Sequence, residues 1–293
     1  MAKTSSSAQR KDRNARESRA AFLEPFFQTD NGRVKIYHQD ALHFLRSLPS
    51  DSVDVIATDP AYSGMNQHLQ LGSGRIIGKY EDKGQAGSKW FEEFHDTEEN
   101  YTTFLKECYR VLKSDRHIYI MFDSYSLLTL APLARNIFEV KNLIVWDKVN
   151  IGMGHYFRRR HEFILFATKG KRHLTSHRIP DVWRIKRVAA FKYPTQKPVE
   201  IFEAMLAGSV ENDFVVCDPF LGGGSCAIAA MNKHCKFIGC DSSQTAIKTC
   251  AERIKIYSAT GCDTLQPKSL LLENEDYEWL NPRKKNYSVI LTE

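Results

Sequence analysis

A chain of 293 residues with 42% hydrophobic and 26% charged side chains can bury a sizeable core, as one large α/β domain or two smaller ones. Its 41 Lys and Arg outnumber 35 Asp and Glu, for a net charge of +6. No run of 18 apolar residues occurs, and the polar, basic start of the chain lacks the apolar stretch of a secretory signal, so no membrane partner and a cytoplasmic location are expected.

Residues 1–20 carry six basic and two acidic residues and almost no large apolar side chain, which predicts a disordered basic tail. Beyond it, strands alternate with amphipathic helices. Strands are predicted at Val34–His38, Val53–Thr58, His117–Phe122, Leu143–Lys148, Glu162–Thr168, Phe214–Asp218 and Lys236–Asp241. Several are unbroken β-branched or aromatic runs, as expected for strands buried on both faces. Helices are predicted at Ala41–Leu48, from a capping box at Asp96-Thr97-Glu98-Glu99, from Pro198, and over Ser225–Lys233 and Gln244–Tyr257. The alternation predicts an α/β fold with a doubly wound, mainly parallel, seven-stranded Rossmann-like sheet. The fourth and fifth strands lack a helix between them, so the link Val149–His161 can close an antiparallel hairpin.

Residues 63–95 and 170–192 fit no regular element, and loops of that length are usually functional or disordered. Residues 21–262 are read as one catalytic domain carrying these two insertions, and residues 263–293 as an extension of unassigned role. The seven cysteines form no CxxC pair and are odd in number, which predicts reduced core thiols and no metal. From His155 to Lys192 eleven basic residues face only Glu162 and Asp181. Positive charge clustered in this way suits a phosphate backbone. The aromatic residues Tyr156, Phe157 and Trp183 are interleaved with it.

Two motifs carry chemistry. Pro219 to Gly224 makes a glycine-rich turn between a strand and a helix. Glycines there let a ligand approach the backbone, and the helix start offers free N–H groups. A second strand ends at Asp241, placed to accept ribose hydroxyls. This pattern alone also admits a dinucleotide. The other motif, Asp59-Pro60-Ala61-Tyr62, follows the strand Val53–Thr58. Its carboxylate can accept from an exocyclic amino group, and its aromatic ring can stack on a base.

On these residues the chain resembles the amino-group DNA methyltransferases of the β arrangement, in which the catalytic motif precedes the cofactor loop. Asp59-Pro60-Ala61-Tyr62 is similar to the family's D-P-P-Y, with Ala61 in place of the second proline. Phe220, Gly222 and Gly224, preceded by Asp218, match its F-x-G-x-G loop. The segment from Tyr193 through Thr195 and Lys197 to Pro198 resembles the motif that meets the cofactor's methionine end. Asp40 and Ala41 lie where the family contacts adenine.

The resemblance implies a circularly permuted strand order and S-adenosyl-L-methionine as cofactor. It implies Asp59, Pro60 and Tyr62 as catalytic residues, and double-stranded DNA as substrate, flipped one base at a time. An aspartate opening the motif goes mostly with adenine in this family. The other readings are a cytosine amino group, RNA, a protein glutamine, or a binding module without catalysis. DNA contacts are expected from Arg158, Arg159, Arg160, Lys171, Arg172, Arg184, Lys186 and Arg187. The short recognition region between hairpin and Thr195 suggests that residues 63–95 share in recognition. Family members often dimerise, so a homodimer is expected by analogy.

Overall fold

The computed structural model describes residues 24–62, 97–152, 156–188, 193 and 195–280. The basic tail, the insertion at 63–95, and residues 281–293 lie outside the described residues, as do Asp96, His155 and 189–192.

Nine strands form one sheet among the described residues, against the seven expected. They are β1 (Phe27–Gln28), β2 (Val34–His38), β3 (Val53–Thr58), β4 (Leu112–Phe122), β5 (Glu139–Asp147), β6 (His161–Lys169), β7 (Val182–Arg184), β8 (Val215–Asp218) and β9 (Lys236–Asp241). The helices are α1 (Ala41–Ser47), α2 (Glu98–Val111), α3 (Ser124–Thr129), α4 (Ala131–Ala134), α5 (Val199–Ala207), α6 (Ser225–Asn232) and α7 (Gln244–Thr260). In space the strands run β1-β2-β9-β8-β3-β4-β6-β5-β7. The two added strands are edge pieces of two and three residues, too short to show a period in sequence.

β2, β9, β8, β3 and β4 are mutually parallel, so their C-terminal ends share one edge. β6 is antiparallel to both β4 and β5, and its first residues therefore lie at that same edge. The expected hairpin is present: Lys148 N–H donates to Arg160 at 2.8 Å and Gly152 N–H to Arg159 at 2.7 Å.

All six residues of β3 are buried. Val55 and Ala57 join a core with α5 and α6 on one face, while Val53 and Ile56 join another with α1 and α2. This is why β3 is mostly apolar; its Asp54 is paired with Lys113 and Arg116. Thr97 caps α2 by accepting from Asn100 N–H at 3.2 Å. The cysteines are free, and six of the seven are buried. No metal-ligand cluster occurs among the described residues. No described helix is long and apolar enough to cross a membrane.

Residues 263–280 are packed against the sheet and its helices. Gln266 bonds Val199 N–H and Glu200, Leu270 N–H donates to Glu200, and Trp279 stacks on Trp183 with ring centroids 5.9 Å apart.

Candidate active site

β3 and β8 are neighbours, pairing Val55 with Val216 and Ile56 with Cys217. The Asp59 motif and the glycine loop, far apart in sequence, therefore leave the sheet side by side. Thr58 donates to Asp218 Oδ1 at 2.8 Å, which ties the last residue of β3 to the last residue of β8.

Asp218 is only 1% exposed, and it also accepts Phe220 N–H at 3.0 Å. Burial pushes its carboxyl up to about 7. Expected as a ligand contact, it instead lies behind the loop and shapes it, because its oxygen serves Thr58 and Phe220. Ala41 is likewise buried, at the first position of α1.

The glycine loop is held on several sides. Gly222 N–H donates to Asp241 Oδ2 and Ser243 N–H to Asp241 Oδ1, both at 2.8 Å. Gly222 and Gly224 have φ of +51° and +80°, a region that side chains strain to reach. A Cβ on Gly224 would stand 2.5 Å from Cys250 Sγ, whereas one on Gly222 would meet nothing nearer than Tyr193 at 3.6 Å. Packing on α7 thus requires the glycine at 224, and chain direction requires the one at 222.

Beneath the loop, the fully buried Arg253 donates to Gly223 O at 2.7 Å and pairs with Asp263. It also donates to Ser225 Oγ at 3.1 Å, which in turn donates to Lys197 O at 2.7 Å. Arg253 escaped the sequence reading because a lone arginine within an amphipathic helix gives no motif.

Thr195 sits at φ +51°, a strained conformation for a residue with a side chain. Buried Gln196 donates to Leu265 O, while its Oε1 has no hydrogen-bond partner among the described residues. Asp40 caps α1, accepting from Leu42 and His43 N–H groups, and Gln39 N–H donates to Asp241 O at 3.1 Å. Asp40, Asp241 and Asp59 thus stand along one edge, at the ends of β2, β9 and β3.

Asp59 is bonded by Lys197 Nζ, a residue read from sequence as a cofactor contact. Burial raises the Asp59 carboxyl above its usual range, against the pull of Lys197. Tyr62 N–H donates to Pro60 O at 3.0 Å, so the turn forms with alanine at 61. The Tyr62 ring was read from sequence as able to stack on a base. It is 8% exposed and lies on Phe122, 5.2 Å between centroids with planes 13° apart, because Phe122 ends the adjacent strand β4.

The basic segment divides. Arg158, Arg159 and Arg160 precede β6 and lie at the motif edge, and exposed Arg184, Lys186 and Arg187 lie at the end of β7, beside Asp147. Lys171 and Arg172 correct the expectation, because β6 carries the chain to the opposite edge. There Lys169 pairs with Arg116 across the sheet and Arg172 bonds Glu211 at 2.9 Å.

Arg160 is paired with Asp147, and Arg184 with Glu275. Arg159 lies over the Tyr125 ring at 5.1 Å. Tyr156 and Phe157 are 95% and 103% exposed, but Trp183 is 1% exposed and packs inward. Residues 182–186 alternate outward and inward, which turns Arg184 and Lys186 to the surface and Trp183 and Ile185 to the core.

The family model described as DNA methylase matches residues 53–252. The chain is 29% identical over 255 residues to the type II methyltransferase M2.LlaDCHI of Lactococcus lactis subsp. cremoris, covering 79% of this chain and 92% of that protein. It is 25% identical over 279 residues to the DNA adenine methyltransferase YhdJ of Escherichia coli strain K12, covering 80% and 87%. The crystal structure of the M1.HpyAVI-SAM complex superposes with a TM-score of 0.54 at 21% identity, covering 75% of this chain and 99% of that one.

Proposed function

The chain belongs to the DNA methylase family whose model spans residues 53–252, and we propose that it transfers a methyl group from S-adenosyl-L-methionine to the exocyclic amino group of adenine in double-stranded DNA. The observation that carries this reading is the shared edge of β3 and β8, which sets Asp59 beside the glycine loop.

The residues present fit the cofactor. The loop offers side-chain-free backbone at Gly222, the Gln196 Oε1 is unclaimed among the described residues, and carboxylates line the edge. Gly222, Gly224, Phe220, Asp241 and Asp40 would hold the nucleoside side, and Thr195 the methionine side. When bound, S-adenosyl-L-methionine supplies a methyl on a cationic sulfur, a good leaving group. A row of carboxylates favours such a cation by simple Coulomb attraction.

Asp59 and the Pro60 carbonyl orient the amino hydrogens of the target base, so that the nitrogen lone pair faces the methyl. This is chiefly a positioning task. As charge develops on the nitrogen, an ionised Asp59 stabilises it more than it stabilises the ground state. Tyr62, backed by Phe122, presents a stiff aromatic wall rather than a free flap.

Arg158, Arg159, Arg184, Lys186 and Arg187 contact phosphates at the same edge. The exposed rings of Tyr156 and Phe157 supply stacking surface beside them. Residues 21–280 act as one catalytic unit, with the segment after 263 bracing it. A cytoplasmic location gives such an enzyme access to duplex DNA.

Incubation with tritiated S-adenosyl-L-methionine and duplex DNA, followed by nucleoside analysis, tests the reading. Label in N6-methyldeoxyadenosine is expected. Label confined to methylated cytosine, or accepted only by RNA, overturns it.

A further inference from the structure

Lys197 is placed between two carboxylates. It bonds Asp59, and its Nζ lies 3.8 Å from Glu162 Oε2. Glu162, near the start of β6, also accepts from Lys148 Nζ at 2.9 Å. All four side chains are largely withdrawn from solvent, with exposures of 27% for Asp59, 26% for Glu162, 16% for Lys197 and 17% for Lys148. Screening by water is therefore weak, and each charge acts on the next.

We propose that Glu162 is a positioning residue: it competes with Asp59 for Lys197, and so leaves the Asp59 carboxylate free to accept the hydrogens of the target amino group. The proposal rests on the methyl-transfer reading of Asp59.

A carboxylate bonded to an ammonium is a weaker acceptor, because that bond occupies one of its lone-pair sites and lowers its basicity. Glu162 opposes the commitment in two ways. It draws on the same ammonium, and its own negative charge disfavours charge on Asp59. The groups acting on Asp59 are Lys197, which favours its ionised form, and Glu162 and Asp123, which oppose it along with burial. Those acting on Glu162 are Lys197, Lys148 and Arg159, which together outweigh burial and hold its carboxyl below the usual range. Glu162 therefore stays charged while Asp59 does not hold its charge as firmly. Burial works against the Lys197 ammonium, but Asp59 and Glu162 outweigh it and keep Lys197 protonated.

The alternative is that Glu162 only anchors Lys148 at the mouth of the hairpin. The two roles separate in the pH dependence of kcat on duplex DNA at saturating cofactor. Asp59 must be ionised to accept the amino hydrogens, so activity falls as pH drops through its pKa. Glu162→Gln removes a negative neighbour and gives Lys197 wholly to Asp59, and both changes lower that pKa. The expected result is a roughly tenfold loss of kcat with the acid limb displaced to lower pH.

Lys148→Gln turns Glu162 more fully toward Lys197 and removes a positive charge. Its acid limb should move the other way, to higher pH. Glu162→Asp keeps the charge and should leave the limb at its wild-type position. Opposed displacements support the proposal. An acid limb unmoved in both Gln variants, whatever their stability, overturns it. A wild-type enzyme that methylates no DNA would overturn the underlying reading instead, so the two failures are distinguishable.

Discussion

The two halves of one sheet edge differ in charge. Over β2, β9, β8 and β3 the strands end at or just before Asp40, Asp241, Asp218 and Asp59, with Lys197 bonded to Asp59. Over β6, β5 and β7 the same edge carries Arg158 to Arg160 and Arg184 to Arg187. The acidic half suits a cationic sulfur and an amino group. The basic half suits phosphate. Glu162 and Lys148 lie where the halves meet, so a single ion-pair network spans the junction. Under the proposed function, substrate backbone and reacting base would be sorted by charge along one line.

The largest expected effect comes from disabling the acidic half. Asp59→Ala should lower kcat by about a thousandfold or more, with cofactor affinity and DNA binding little changed. Methylation assays with calorimetric cofactor titration would check this, and an active variant would break the comparison at its centre. Next comes the scaffold beneath the glycine loop. Arg253→Ala leaves the half-buried Asp263 without its cation and removes the bond to Gly223 O, and should cost about 3–5 kcal/mol in urea unfolding.

A smaller effect is expected from the basic half. Arg158→Ala with Arg159→Ala should weaken DNA binding on every sequence, and the slope of log K against log salt should flatten by roughly 1.8. Lys171→Ala with Arg172→Ala, at the opposite edge, should leave the slope as it was. If the second pair flattens the slope and the first does not, the assignment of the basic half is reversed.

Much of this was legible in the chain. β2, β3 and β9 occur at their predicted bounds, because each is rich in β-branched or aromatic residues and leads directly into a turn or helix signal. The hairpin was legible from the missing helix. β7 and α3–α4 were not, since three- to six-residue elements give no period. Bracing by residues 263–280 was hidden as well: Trp279 on Trp183 is a contact between distant segments without pattern.

The sequence by itself determined the chemistry, because an amino-group clamp and a cofactor loop are local motifs whose residue types and order survive without coordinates. Tertiary structure alone decided which residues share the edge. It withdrew Trp183, Lys171 and Arg172, buried Asp218 behind the loop, and brought Lys197 to Asp59 and Glu162. The reason is strand direction. β6 runs against its neighbours, so the described residues of one basic stretch are delivered to opposite ends of the sheet. Charge counted along the chain cannot register that reversal.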